Sequence, residues 1–190
     1  ATAQYTYVFK GWSPAVSNVT GDATYTAVFD EIVNEYTVTW KNGDTVLQSG
    51  KVAYGERPTY SGDTPTKAAT TQYTYVFKGW SPAVSNVTGD ATYTAVFDEI
   101  VNEYTVTWKN GDTVLQSGKV AYGERPTYSG DTPTKAATAQ YTYVFKGWSP
   151  AVSNVTGDAT YTAVFDEIVN EYTVTWKNGD TVLQSGKVAY

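Results

Sequence analysis

Five acidic side chains that recur along the chain are the first candidates for chemistry: Asp44, Asp63, Asp90, Asp98 and Glu99. Paired carboxylates can cleave glycosides or bind calcium. However, no loop resembles an EF-hand, and Asp44, Asp63 and Asp90 each follow a glycine, where Asp commonly forms turns. The pattern therefore favours turns. Calcium bound near Asp98, Glu99 and Glu103 is the alternative.

The sequence lacks the side chains that most catalytic and metal sites require. It contains no Cys, no Met and no His, which excludes thiolate chemistry, Cys or His zinc ligands and a conventional Ser-His-Asp triad. A Lys–Asn isopeptide crosslink at Lys78 would need an Asn inside a strand, where none is predicted. We therefore predict no enzyme activity, no catalytic, cofactor-binding or metal-binding residue and no cofactor. Because Met is absent, we expect an excerpt, a processed form or a trimmed segment.

Aromatic residues make up 15% of the chain and suggest either cores or binding platforms. The pairs Gly11-Trp12, Gly79-Trp80 and Gly147-Trp148 are too sparse for the short Gly-Trp repeats that bind choline or cell walls. We expect each Trp to pack over a sheet beside a glycine that makes room for it. An exposed Trp40 or Tyr60 that serves as a sugar platform is the alternative.

The charge pattern argues against nucleic-acid binding. The formal net charge is −6, and basic residues such as Lys41 and Lys51 are separate rather than clustered. No basic stripe is therefore available to neutralise phosphates. No apolar run approaches the length needed to span a bilayer, so membrane insertion is not expected either.

A long internal repeat organises the chain. The segment from Tyr5 to Trp12 recurs from Tyr73 and again from Tyr141, which gives a period of 68 residues. Across all overlapping positions the copies differ once, where Thr71 replaces Ala. A protein seldom needs three copies of one catalytic module, whereas rods, stalks and multivalent binders do use repeated modules.

One period, read from Asn34, predicts strands and almost no helix. Alternating apolar and polar residues predict strands at 36–40, 45–54, 72–80 and 91–98, with a kink at Gly50. The Asn42-Gly43 dipeptide predicts a hairpin turn in which both residues take positive φ. The stretch 55–68 is rich in Pro, Gly and Thr and predicts a loop or crossover. Only Lys67–Thr70 could form a single helical turn.

Two module frames fit this repeat. In the first, 34–101 and 102–169 are complete modules, 1–33 is the C-terminal part of a module and 170–190 is the N-terminal part of one. In the second, the blocks 1–54, 69–122 and 137–190 are joined by connectors 55–68 and 123–136. Both frames leave a short junction at Asp98–Glu103, which restricts rotation between modules. We therefore predict a mainly β chain, a tandem array of small modules with little or no helix that forms an extended rod or filament.

Six motifs follow one another within one period. They are Tyr36-Thr37-Val38-Thr39-Trp40, Asn42-Gly43, Lys51-Val52-Ala53-Tyr54-Gly55, Pro65-Thr66-Lys67, Tyr73-Thr74-Tyr75-Val76-Phe77-Lys78-Gly79-Trp80 and Ala91-Thr92-Tyr93-Thr94-Ala95-Val96-Phe97. Their order and spacing resemble the Listeria–Bacteroides repeat family, which includes the internalin B-repeat. The resemblance covers essentially the whole chain and implies β-grasp-like modules that are exported and displayed on bacterial surfaces, with no catalytic residues.

These observations predict a structural tandem-repeat segment of a bacterial surface or extracellular protein that acts as a spacer, stalk or filament subunit. Its partners would be neighbouring modules of the same chain and, by head-to-tail self-assembly at Tyr190 and Ala1, other copies. Two alternatives stay open. One is a multivalent adhesin for a host protein or glycan, and the other is an artificial array built from a consensus repeat.

Overall fold

The computed structural model describes all of residues 1–190 and contains strands but no helix. It divides into two compact units, Ala1–Ala68 with Tyr75–Ile100, and Ala69–Thr74 with Val101–Tyr190. The predicted mainly β chain of repeated modules is therefore confirmed. The twelve strands are β1 Tyr5–Ser13, β2 Thr26–Val33, β3 Glu35–Asn42, β4 Thr45–Ala53, β5 Tyr73–Ser81, β6 Ala91–Val101, β7 Glu103–Asn110, β8 Thr113–Ala121, β9 Tyr141–Ser149, β10 Ala159–Val169, β11 Glu171–Asn178 and β12 Thr181–Ala189.

Strands β3 to β6 form a mixed four-stranded sheet in the order β4-β3-β6-β5, and β7 to β10 repeat it as β8-β7-β10-β9. The β3–β4 hairpin is antiparallel, whereas β3 and β6 run parallel. Val38 pairs with Ala91 and Trp40 with Tyr93 across this parallel pair. The first and last strands thus lie side by side in the centre, which is the β-grasp-like arrangement that the resemblance implies.

The predicted crossover between β4 and β5 is present. Because β4 and β5 are the two edges of one sheet, the crossover spans that sheet rather than bridging two sheets. Side chains of the β3–β4 hairpin hold it in place. Gln48 Oε1 accepts a hydrogen bond from the Ser61 amide at 2.9 Å, and Asn42 Nδ2 donates to the Thr66 carbonyl at 2.8 Å.

The one helix candidate, Lys67–Thr70, does not form a helical turn, in agreement with the predicted mainly β chain. The Lys67 ammonium lies 3.7 Å from the ring centroid of Tyr75, in cation–π contact. The Thr70 amide donates to the Tyr73 carbonyl at 2.8 Å, and Thr70 Oγ1 accepts from the Tyr73 amide at 2.9 Å. These contacts use the polar groups that a helical turn would need and lead the chain directly into β5.

The β3–β4 turn is shifted by one residue from the predicted position. Asn42 pairs with Thr45, so Gly43 and Asp44 are the two turn residues. Gly43 has φ +57°, and no residue other than glycine has positive φ. The prediction that Asn42 also takes positive φ is therefore wrong. Asn42 ends β3 instead, which leaves its side chain available to bind the crossover.

A β-bulge explains the glycine in the Gly-Trp pairs. In β9, Phe145 pairs with Phe165 and Gly147 with Val164, so Lys146 is the extra residue. Gly147 has φ +150°, which favours glycine. A Cβ added there would meet no atom within 4 Å, so the prediction that the glycine makes room for the adjacent Trp is wrong.

A predicted kink and a predicted junction differ from the structure. The kink predicted at Gly50 is absent, because Gly50 lies in β4 opposite Val38 and the ladder shifts instead between Trp40 and Lys41. Strand β6 continues to Val101, and β7 begins at Glu103. The predicted six-residue junction therefore shrinks to the single residue 102.

An aromatic cluster fills one face of each four-stranded sheet. Trp40 is 3% exposed, and its ring centroid lies 4.7 Å from those of Trp80 and Tyr93. Tyr60 of the crossover lies 4.8 Å from Trp80 and closes the cluster from above the sheet. Val87, from the loop between β5 and β6, is 2% exposed and completes the core. The second sheet repeats this core around Val106, Trp108, Val155 and Tyr161.

The remaining four strands form two separate hairpins, β1–β2 and β11–β12. They carry the same sequences as β5–β6 and β3–β4 but belong to two-stranded sheets. The Trp176 side chain in β11 is 49% exposed, although its counterpart Trp40 is buried. The same local sequence thus buries its apolar face only within a four-stranded sheet.

Replacing Trp40 and Trp108 together by Ala will test the importance of this core. Each truncation should cost the affected sheet roughly 3–5 kcal/mol, because a buried Trp is removed and a cavity remains. Trp176→Ala is the matched control, since it changes an exposed copy of the same residue and should cost less than about 1 kcal/mol. Calorimetric unfolding at low protein concentration measures both. Equal losses would contradict this account.

Candidate functional site

Two of the recurring acidic residues, Asp90 and Asp98, lie in structural positions. Asp98 Oδ1 lies 2.6 Å from Lys78 Nζ, in an ion pair that is more than half exposed, and such exposed pairs contribute little. Asp90 Oδ1 accepts a hydrogen bond from the Thr37 amide at 2.7 Å, beside the start of the parallel β3–β6 pair. No group of three acidic residues is placed to hold a metal ion. Calcium near Asp98 and Glu99 thus gains no support from the geometry.

The two candidate sugar platforms lie in or on the core. Trp40 is buried, and Tyr60 packs its ring against Trp40 and Trp80 at centroid distances of 5.7 and 4.8 Å. The neighbouring Gly62 is needed because a Cβ there would collide with the Tyr60 ring. These two aromatic rings therefore pack in the core of the sheet formed by β3 to β6.

A cluster of polar groups holds the single residue between hairpin β1–β2 and strand β3. Asn34 Oδ1 accepts a hydrogen bond from Thr6 Oγ1 at 2.6 Å. Asn34 Nδ2 donates to the carbonyls of Thr2 and Ala3 at 2.9 and 3.0 Å. The Tyr36 hydroxyl donates to the same Ala3 carbonyl at 2.7 Å. We call this set of residues the junction cluster.

The backbone of Asn34 is bonded as well. Its amide donates to the Gln4 carbonyl at 2.9 Å, and its carbonyl accepts from the Tyr54 amide at 2.8 Å. Both sides of the one-residue connection are therefore fixed, one to the segment before β1 and the other to the end of β4. Such a residue has no freedom to act as a hinge while these bonds persist.

The junction cluster recurs twice within the second unit, around Asn102 and Asn170. Asn102 bonds to Thr70, Thr71 and Thr74, and Asn170 bonds to Thr138, Ala139 and Thr142, all at 2.7–3.1 Å. The one substitution among the repeats, Thr71 for Ala, falls inside this cluster. It leaves the cluster intact because the cluster uses only the backbone carbonyl of that residue.

Sequence reasoning missed the junction cluster. Its partners lie about thirty residues apart in sequence, as in the pair Asn34 and Thr2. The available signal was a single Asn between two apolar-alternating segments, repeated at 34, 102 and 170. Such an Asn commonly marks a loop, and nothing in the local pattern indicates which backbone groups it binds.

Hairpin β1–β2 presents an uncovered apolar surface. A cavity of about 260 Å³ lies against Trp12, Val16 and Tyr25. In the complete sheet β3–β6, the counterpart Trp80 contacts the indole of Trp40. The cavity therefore marks the place where a strand equivalent to β3 would lie.

The electrostatic environment of this hairpin also differs from that of its complete copies. Tyr75 and Tyr143 each carry a lysine ammonium over the ring, supplied by the preceding crossover. For Tyr7, desolvation and then the nearby Glu31 carboxylate raise the pKa of the hydroxyl above its ordinary value.

With respect to membranes, none of the elements is a helix that is long and apolar enough to cross a bilayer.

Comparisons with known proteins give low similarity. No protein-family model and no curated protein matches the chain, so its membership of the Listeria–Bacteroides repeat family stays a prediction. Among solved structures, the chain is similar to "Streptococcal High Identity Repeats in Tandem (SHIRT) domains 3-4 from cell surface protein", with 14% identity, a TM-score of 0.38 and coverage of 71% of this chain and 99% of that one.

A second structure is the "Type 2 repeat of the mucus binding protein MUB from Lactobacillus reuteri", with 17% identity, a TM-score of 0.17 and coverage of 70% of this chain and 100% of that one. Both are repeat domains of bacterial proteins by their descriptions. At these TM-scores neither similarity determines what the present chain does.

Replacing Asn170 by Ala will test the junction cluster. We expect hairpin β11–β12 to move more freely on the nanosecond to millisecond timescale, because three side-chain hydrogen bonds are lost. NMR relaxation of backbone amides in 172–190 measures this motion. Asn178→Ala is the matched control, since Asn178 lies in the same hairpin with no hydrogen bond from its side chain. Unchanged relaxation in the Asn170 variant would rule out a fixing role.

Proposed function

We propose that the chain is a structural spacer, a stalk-like segment of a bacterial surface or extracellular protein whose repeats set distance and direction. The observation that carries this proposal is the one-residue junction at Asn34, Asn102 and Asn170, fixed by side-chain and backbone hydrogen bonds. A flexible linker would let modules rotate independently, whereas a short bonded junction restricts them. Restriction is the property that a spacer needs.

Modules 34–101 and 102–169 are the structural units of this proposal. The strand orders β4-β3-β6-β5 and β8-β7-β10-β9 support this frame, because each sheet is assembled from a single 68-residue period. In this frame the segment 1–33 contains the last two strands of a module, and the segment 170–190 contains the first two. The alternative frame would divide each four-stranded sheet between two blocks.

The chemistry of the chain agrees with a passive role. The net charge of −6 is spread along the sequence, and Trp40, Trp80, Tyr93 and Tyr60, like their copies in the next repeat, pack in a core. Surface location and the family assignment are further parts of the proposal, and they depend on the sequence resemblance to Listeria–Bacteroides repeats. An adhesin built on Trp40 as a glycan platform is not favoured, because that ring is buried.

Arrays of increasing repeat number will test the spacer proposal. With fluorescent dyes at both ends, the mean end-to-end distance should increase in proportion to the number of 68-residue repeats. A flexible chain of modules would instead lengthen with about the square root of that number. Single-molecule energy transfer at picomolar concentration measures the distance in isolated chains.

The control array carries Asn→Ala at every junction position, equivalent to Asn34, Asn102 and Asn170. Its modules remain folded, as circular dichroism will check, but the distance should fall and its distribution should broaden. Square-root growth in the unaltered array would overturn the spacer proposal. Equal distances in both arrays would show that rigidity does not come from the junction cluster.

A further inference from the structure

The outer edge of β11 carries unused pairing groups. In the complete sheet, Val38 to Lys41 of β3 pair in parallel with Ala91 to Thr94 of β6, and β7 pairs in the same way with β10. The corresponding residues of β11, 174–177, belong to a sheet that contains only β11 and β12. Their outward backbone groups therefore have no strand beside them, which makes this edge a template for strand addition.

Hairpin β1–β2 lacks the matching partner. Strand β6 begins at Ala91, but its copy β2 begins only at Thr26, so the equivalent residues 23–25 are outside any strand. In the complete sheet these positions are held in the strand by pairing with β3. The N-terminal hairpin is thus missing the strand that the C-terminal hairpin offers.

The apolar surfaces of the two hairpins are complementary copies of one core. Trp176 is 49% exposed against 3% for Trp40, and Val19 is 75% exposed against 2% for Val87. In the complete sheet, Trp40 and Val87 belong to the same buried cluster. One hairpin therefore exposes the first half of a core and the other exposes the second half.

We propose that hairpin β11–β12 of one copy binds hairpin β1–β2 of a second copy of this chain. The two hairpins form a four-stranded sheet in the order β12-β11-β2-β1, with the last two strands from the second copy. The register follows that of β3 and β6. Val174 faces Ala23, Trp176 faces Tyr25, and the Trp176 indole fills the cavity beside Trp12.

This contact joins two different surfaces, so it does not close on itself. Each bound copy still presents a free hairpin at its other end, and addition of further copies produces open chains.

The association does not depend on the spacer role. A chain that remains monomeric could still be a spacer, and a flexible array could still associate.

The joined sheet lacks one element of a complete module. In the intact sheet the crossover places Tyr60 on Trp80, and Gly55 donates its amide to the Val87 carbonyl at 2.7 Å. Appending a copy of residues 55–68 after Tyr190 supplies this element. We expect association to begin at a concentration lower by at least about tenfold, because an additional aromatic side chain is buried.

Analytical ultracentrifugation over a wide concentration range tests the proposal on the full chain. The unaltered chain should show a mass that rises beyond that of a dimer. Trp176→Glu and Val19→Glu should each abolish this rise, since each places a charge in the joined core. Val182→Glu is the matched control and should leave it unchanged, because Val182 and its counterpart Val46 are 52% and 53% exposed.

Mixing the two blocked variants distinguishes this contact from a symmetric one. The Trp176→Glu chain keeps a working N-terminal hairpin, and the Val19→Glu chain keeps a working C-terminal hairpin. Their mixture should form dimers and nothing larger. A symmetric contact between identical hairpins would give homodimers in one variant alone, and that result would overturn the proposal.

A cysteine pair tests the register, since the chain has no other cysteine. Ala23→Cys with Val174→Cys should give a ladder of disulfide-linked multimers on oxidation, because paired strands lie close enough for a disulfide. Ala23→Cys with Val182→Cys should give no ladder. A strictly monomeric mass for the unaltered chain and for the chain with the appended crossover would falsify the proposal.

Discussion

The contact of the Trp40 indole with Trp80, Tyr93 and Tyr60 is the interaction on which the first complete sheet depends, and Trp108 makes the equivalent contacts in the second. These rings come from β3, β5, β6 and the crossover, so the core closes only after every part of the period is in place. A sheet of this size buries little apolar surface, and the loss of one part is therefore costly. The hairpins that contain the same sequences without their partner strands leave the corresponding indoles, Trp12 and Trp176, about half exposed, at 49% each.

The stability of a module and the fixing of its junction residue have different physical sources in this chain. The core is aromatic and buried, whereas the junction cluster is polar and partly exposed. Each hydrogen bond of such a cluster contributes only about 0.5–1.5 kcal/mol in net terms. Its effect comes from number and position, because several bonds converge on one residue that has no flexible neighbour. A modest free energy can thus restrict a large motion.

Features that follow from local alternation could be predicted from the sequence, and features that follow from strand pairing could not. The segments around Trp40, Tyr75 and Tyr93 show period-two alternation in the sequence, and each of them forms a strand in the structure. The turn shift at Asn42 and the extension of β6 to Val101 depend on partners that are far away in sequence. The role of Asn34 was hidden for the same reason, since its acceptors Thr2 and Ala3 lie before the preceding hairpin.

The near-identity of the repeats makes the parallel pairing of β3 degenerate. The sequence Ala-Thr-Tyr-Thr that β3 pairs with at 91–94 occurs again, unchanged, at 159–162. Loop-closure entropy favours the nearer copy by only about 0.7 kcal/mol, since the loop is little more than doubled. Contact energies do not distinguish the two copies. The order of synthesis distinguishes them, because residues 91–94 leave the ribosome before residues 159–162. The first sheet can therefore close before the second copy of the segment exists. For a chain of identical modules, correct pairing is thus a matter of timing as much as of affinity.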